Sequence, residues 1–142
     1  MKRLFIALLA VLFFVGTASA LDWYVANQST VAWDPVTTLE NGDPIPEGST
    51  IRYQTYIANA VTDPNKQNPT DTGIVDVAQK TFTLGVEGSY YVGAQTLREV
   101  DGMILESSVI AWTDIAEFCK DGVTFGLRFY LIPDHVEGMY SQ

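Results

Sequence analysis

Residues that could do chemistry are few in this chain. His135 is the only histidine and Cys119 the only cysteine. A Ser–His–Asp or Cys–His mechanism would have to use His135, which sits between Asp134 and Val136 with no nucleophile elbow or Cys-bearing motif to serve. Zinc takes several Cys or His ligands, and a phosphate loop needs a glycine-rich turn opening a helix; neither pattern occurs. Asp63, Asn65, Asp71 and Asp76 offer hard oxygen ligands of the kind calcium takes. They lack the Asp-x-Asn-x-Asp-Gly order of a calcium loop, so a solvated acidic loop is expected. Asn27-Gln28-Ser29 is a glycosylation triplet by letter only. No catalytic residue, metal site or cofactor is expected, and the chain is read as a non-enzyme.

Recognition chemistry is better represented. With Tyr53 and Tyr90 pointing inward, Arg52, Gln54 and Tyr56 share an outward face with Tyr91, Gly93, Gln95 and Leu97. Phe125 and Phe129, in a later alternating segment, are grouped with them as a candidate interaction surface. Tyrosine rings flanked by Gln and Arg suit stacking on a sugar or contact with a protein; the competing reading is an ordinary sheet face, since apolar atoms are common on surfaces.

The elements that must carry these residues are strands. Segments rich in Val, Ile, Thr, Tyr and Trp recur between Gly, Pro, Asn and Asp clusters: Ser29 to Asp34, Thr50 to Ala60, Ile74 to Val77 as a short edge, Lys80 to Leu84, Ser89 to Val100 and Met103 to Trp112. Thr62 to Gly73 reads as loop, Asp101-Gly102 as a tight hairpin turn, and Thr113 to Lys120 as room for one helical turn. The first strand is poorly marked, with only Leu21 to Ala26 to supply it. Short strands at this spacing predict an all-β sandwich or barrel.

Four positions narrow this further. Trp33 stands in Val31-Ala32-Trp33-Asp34-Pro35, Tyr53 in Ile51-Arg52-Tyr53-Gln54-Thr55-Tyr56, and Leu84 and Tyr90 bracket Leu84-Gly85-Val86-Glu87-Gly88-Ser89-Tyr90. Over roughly Ser29 to Trp112 the chain resembles a fibronectin type III domain: a second-strand Trp, a third-strand Tyr, and a Leu-x-Pro-x-x-x-Tyr corner with Val86 in place of the Pro. The resemblance implies an immunoglobulin-like two-sheet sandwich with Trp33, Tyr53, Leu84 and Tyr90 as structural core. It implies little about function, because this fold hosts many. On this reading residues 21–113 form the domain and 114–142 a C-terminal extension.

That extension carries its own strand signal at 122–132, with Val123, Phe125, Leu127, Phe129 and Leu131 alternating against Thr124, Gly126, Arg128, Tyr130 and Ile132. It is expected as an additional strand, pairing within the chain in preference to another chain because closing a short loop costs little entropy. Pro133 ends it, and Asp134 to Gln142 read as frayed. Met103-Ile104-Leu105, three apolar residues beside a turn, are expected to be buried by the returning strand, the alternative being a sticky patch.

Export is written at the amino end. Lys2 and Arg3 precede an apolar run from Leu4 to Val15, and Ala18-Ser19-Ala20 supplies small residues for a signal peptidase cutting after Ala20. The run is shorter than the about twenty residues a membrane span needs. Losing residues 1–20 moves the net charge from −9 to −11, because Lys2 and Arg3 go and all seventeen acids remain. Such a chain has no footprint for nucleic acid and is repelled by anionic lipid, so neither is expected as a partner. A single Cys119 forms no disulfide within the chain, and a buried free thiol is expected. The expectation is a secreted or periplasmic module with a protein partner, self-association through the C-terminal strand included, or alternatively a carbohydrate.

Overall fold

The computed structural model describes residues 21–131. The expected leader with its cleavage point, and Ile132, Pro133, His135 and the rest of the C-terminal residues, lie outside that range. Among the described residues the regular structure is nine strands and two single turns of 3-10 helix. The strands are β1 (Asp22–Val25), β2 (Gln28–Ala32), β3 (Ser49–Asn59), β4 (Thr70–Val75), β5 (Gln79–Thr83), β6 (Gly88–Val100), β7 (Met103–Ser107), β8 (Ala111–Trp112) and β9 (Phe125–Phe129). They form two sheets: a seven-stranded one running β1-β9-β6-β3-β4, with β7 and β8 also on β6, and a two-stranded one of β2 and β5.

β6 is the axis of the larger sheet. One of its edges pairs with β3 along its whole length, Ser49 opposite Val100 and Asn59 opposite Tyr90. Its other edge takes three partners end to end: β7 beside Leu97 to Val100, β8 beside Gly93 and Ala94, and β9 beside Gly88 to Tyr90. The chain therefore turns at Asp101-Gly102 and returns along β6 as one interrupted strand. Both turn residues have positive φ, 52° and 80°, the twist that matches a two-residue hairpin to its strands. The interruption is an excursion after Thr113 that holds both 3-10 turns, Ala116–Phe118 and Lys120–Gly122. Its ends are drawn together by the Phe125 N–H donating to the Thr113 carbonyl at 2.8 Å.

The core lies between the sheets. Val31 and Phe82 of the smaller sheet, with Leu84 just beyond β5, pack onto Val92 and Leu127 of the larger, ringed by Trp33, Ile57, Tyr90, Phe125 and Phe129. Alternation along each strand delivers these side chains to one side, and each buried aliphatic or Phe contributes on the order of 1.5–3 kcal/mol. Trp33 and Tyr53 meet edge to face with centroids 5.3 Å apart, and the Tyr53 hydroxyl accepts from the Val36 N–H at 3.0 Å. The Tyr90 hydroxyl donates to the Val86 carbonyl at 2.9 Å, tying the start of β6 to the corner before it.

Three expectations are corrected. The strand expected within Val123 to Leu131 forms and pairs within the chain, but inside the sheet and not along its edge: β9 lies between β1, which it meets in parallel, and β6, with Leu127 only 1% exposed at its centre. It inserts there because β8 and the excursion aim it along the remaining edge of β6. Thr70 to Gly73 is strand, not loop, because an edge strand needs a partner on one side only. A bulge at Thr55/Tyr56 of β3 absorbs the mismatch in register, and Gly73 adopts φ 97°. Met103, Ile104 and Leu105 are not buried; they are 65%, 52% and 52% exposed. β7 pairs with β6 and with neither strand of the smaller sheet.

Candidate functional site

The outer face of the larger sheet brings Arg52, Gln54, Tyr56, Tyr91 and Gln95 together as the strand alternation implies. Their polar groups, however, are spent on one another and on neighbours. Arg52 donates to Asp76 at 2.6 Å and to Glu99 at 3.3 Å, which raises its pKa, chiefly through the Asp76 bond. Gln54 donates to Asp71, and the Tyr56 hydroxyl donates to Gln95 Oε1 at 3.0 Å. Desolvation, with the Asp71 charge, pushes the Tyr56 phenol above its ordinary pKa. Gln95 in turn donates to the Ser108 carbonyl at 2.6 Å.

The rings are covered too, by residues that strand periodicity did not single out. Trp23 of β1 stacks on Tyr91 at 6.0 Å and 27°, and Arg128 lies 4.6 Å above Trp23. Trp112 of β8 sits 6.5 Å from Tyr56. Lys66 places its ammonium 5.0 Å from the Tyr91 centroid and 5.8 Å from that of Trp112, and pairs with Asp114 at 2.6 Å. Two glycines make this layering fit. A Cβ on Gly126 would lie 2.6 Å from the Trp23 ring, and one on Gly93 would lie 2.9 Å from Trp112 and 2.8 Å from Ile110. A glycine opposite a tryptophan on neighbouring strands is a signal the sequence carries, but it is readable only once the register is known.

Lys66 reaches this layer from a loop tied by Asp63 and Asn59. The Asp63 carboxylate accepts from the Gln67 and Asn68 N–H groups at 2.8 and 2.9 Å, and Asn59 Oδ1 accepts from those of Val61 and Thr62 at 2.9 and 3.0 Å. Lys66 itself is held at φ 54°, a left-handed conformation that lysine seldom adopts. Asp71 accepts from the Gly73 N–H at 2.7 Å. Asp63, Asp71 and Asp76 thus brace turns and neighbouring side chains. Among the described residues no three His, Cys, Asp or Glu groups gather as metal ligands would.

Phe125 and Phe129 do not join this face. They pack against the core, because β9 presents its odd-numbered residues to the interior and Gly126 and Arg128 outward. Cys119 is half-buried on the excursion, where its thiol donates to the Thr113 carbonyl at 3.2 Å; burial first, and the Asp114 charge second, push its pKa up. A raised pKa makes a poor nucleophile. Cys119 borders a cavity of about 550 Å³ between the excursion and Trp33, whose walls include Val92, Trp112 and Phe125.

Like β1 and β4 at the ends of the larger sheet, β7 keeps one edge open. All five of its residues are exposed, and among the described residues it is hydrogen-bonded to β6 alone. Arg98 holds Glu106 at 2.9 Å and keeps that carboxyl below the usual range, which secures β7 on β6 while its other edge faces outward. No protein family, characterised protein or solved structure matches the chain.

Proposed function

We propose that this chain is an exported, non-enzymatic module of fibronectin type III-like architecture that receives a protein partner at the free edge of β7. The observation that carries the proposal is that edge. Strand edges on folded proteins are ordinarily shortened, charged or covered, because unpaired N–H and C=O groups recruit other strands. Here Met103, Ile104 and Leu105 stand 65%, 52% and 52% exposed on a strand paired on one side. An exposed apolar strand of this kind is the substrate for strand addition, in which main-chain bonds supply affinity and side chains supply selectivity.

Support for the fibronectin type III-like reading comes from the Trp33–Tyr53 pair between the sheets and from the bond of Tyr90 to the Val86 carbonyl, the brace expected of a tyrosine corner. With β9 as the strand beside β6, the hairpin at Asp101-Gly102 and the excursion after Thr113 become insertions in that strand's approach. Export rests on the amino-terminal pattern of charge, apolar run and Ala-Ser-Ala. Carbohydrate stacking on the tyrosine face is the weaker reading. Trp23 and Lys66 already occupy the ring of Tyr91, and the Tyr56 hydroxyl is bonded to Gln95.

A photo-activatable residue placed at Leu105 in the producing cell tests the binding edge, with the exposed Val61, at the opposite end of the β3–β6 pair, as control. A discrete adduct to one partner from position 105 and none from 61 is expected. Equal labelling from both positions, or none from 105, refutes the edge. The mass of the exported protein should correspond to a chain beginning at Leu21.

A further inference from the structure

Beside β7 lies a cavity of about 530 Å³, bordered by Val36, Leu39, Ile51, Val109, Ala111 and Phe118. Among the described residues Glu40 and Glu106 are the only charged ones on its wall. Glu106 belongs to β7 and pairs in register with Arg98, so the groove opens on the side of the sheet to which Glu106 points. A strand laid along β7 would direct every second side chain to that same side, over the groove. The groove meets the end of β7 at Glu106 and Ser107, so a strand on the free edge would combine backbone pairing with side-chain reading at that end.

The charge on this surface selects the occupant. Glu106 is neutralised by Arg98, whereas Glu40 is exposed and forms no ion pair among the described residues. The chain as a whole carries −9. A second copy is a poor fit, because two like-charged bodies would meet. We infer that the site takes an extended segment of a partner protein. Its apolar side chains at alternate positions enter the groove, and a lysine or arginine beside them meets Glu40. This assignment rests on the reading of β7 as a docking edge.

The probe is a displayed library of short linear peptides, selected on the purified full chain, with the selected peptides synthesised and titrated by fluorescence anisotropy. Selected sequences should alternate apolar residues and include Lys or Arg. Ile104→Lys, which places a charge on the edge, and Glu40→Lys, which reverses the groove charge, should each weaken binding about tenfold or more. The Glu40→Lys effect should shrink as salt rises. Amide exchange should slow along Met103–Ser107 when peptide binds. Both substituted positions are exposed, so the variants should retain the fold, which an unchanged urea midpoint verifies. Loss on Ile104→Lys with no loss on Glu40→Lys overturns the charge-selected groove and leaves the docking edge standing. Peptides indifferent to Ile104→Lys overturn both. Failure to select any peptide, while Leu105 still cross-links to a partner, overturns the extended-peptide assignment alone.

Discussion

Replacing Lys66 with Met keeps the length and packing of the side chain and removes only its charge. In the native layer that charge has three partners: Asp114 at 2.6 Å, Tyr91 at 5.0 Å and Trp112 at 5.8 Å. The paired side chains are 13% and 18% exposed, which places the ion pair between the surface and interior limits. Breaking a buried pair costs about 3–5 kcal/mol and an exposed one about 0–1 kcal/mol, so about 2 kcal/mol is the share for this pair. Losing the aromatic contacts adds about 1 kcal/mol, for a total of about 3 kcal/mol. The Asp114 carboxylate is left stranded, since its Oδ1 is buried and already without a hydrogen bond. Asp114→Asn should cost less, about 1–2 kcal/mol, because Lys66 retains two ring faces. In the double variant no carboxylate is stranded, so the two losses should fall short of their sum by about 1–2 kcal/mol. Urea unfolding followed by tryptophan fluorescence measures all three, with the slope unchanged and the midpoint lowered. A Lys66→Met cost below about 0.5 kcal/mol, or strict additivity of the two losses, would refute the reasoning.

Other outcomes follow from the same geometry. Gly126→Ala drives a methyl into the Trp23 ring at 2.6 Å and should destabilise by about 1–3 kcal/mol, with a changed near-ultraviolet tryptophan signal. Leu127→Ala, at a site 1% exposed in the core, should cost about 3 kcal/mol in the same urea assay, whereas a dispensable tail strand would lose less than 1 kcal/mol, the scale of a surface change. The Cys119 thiol should react slowly with a disulfide reagent in the folded chain and rapidly in urea. Because its folded pKa is raised, the thiol's contribution to stability is complete below the ordinary thiol pKa and is lost as pH rises past it toward the folded value. Stability measured against Cys119→Ala over that range should show the decline in the native chain only.

The inward and outward faces of β3 and β6 were legible in the sequence because side chains alternate strictly along an extended backbone. The same alternation located Arg52, Gln54, Tyr56, Tyr91 and Gln95 on one surface. It did not reveal that the surface is already filled. Trp23, Lys66, Trp112 and Arg128 come from a short first strand, a loop, an interrupted strand and a late segment. Only pairing distant in sequence assembles them, and Gly93 and Gly126 acquire their purpose from that pairing.

Composition and local pattern alone determined that the chain is built of strands and that its core holds without a disulfide, while the fibronectin type III resemblance implied that Trp33, Tyr53, Leu84 and Tyr90 face inward. These depend on the identity of each residue and its near neighbours. Tertiary structure decided where the Phe125–Phe129 strand enters and which apolar residues stay outside. A period of two distinguishes the faces of a strand but carries no information about what lies beside its edges. β9 became an interior strand because β6 still had an open stretch of edge, and Met103 to Leu105 remained exposed on a strand that pairs with β6 alone.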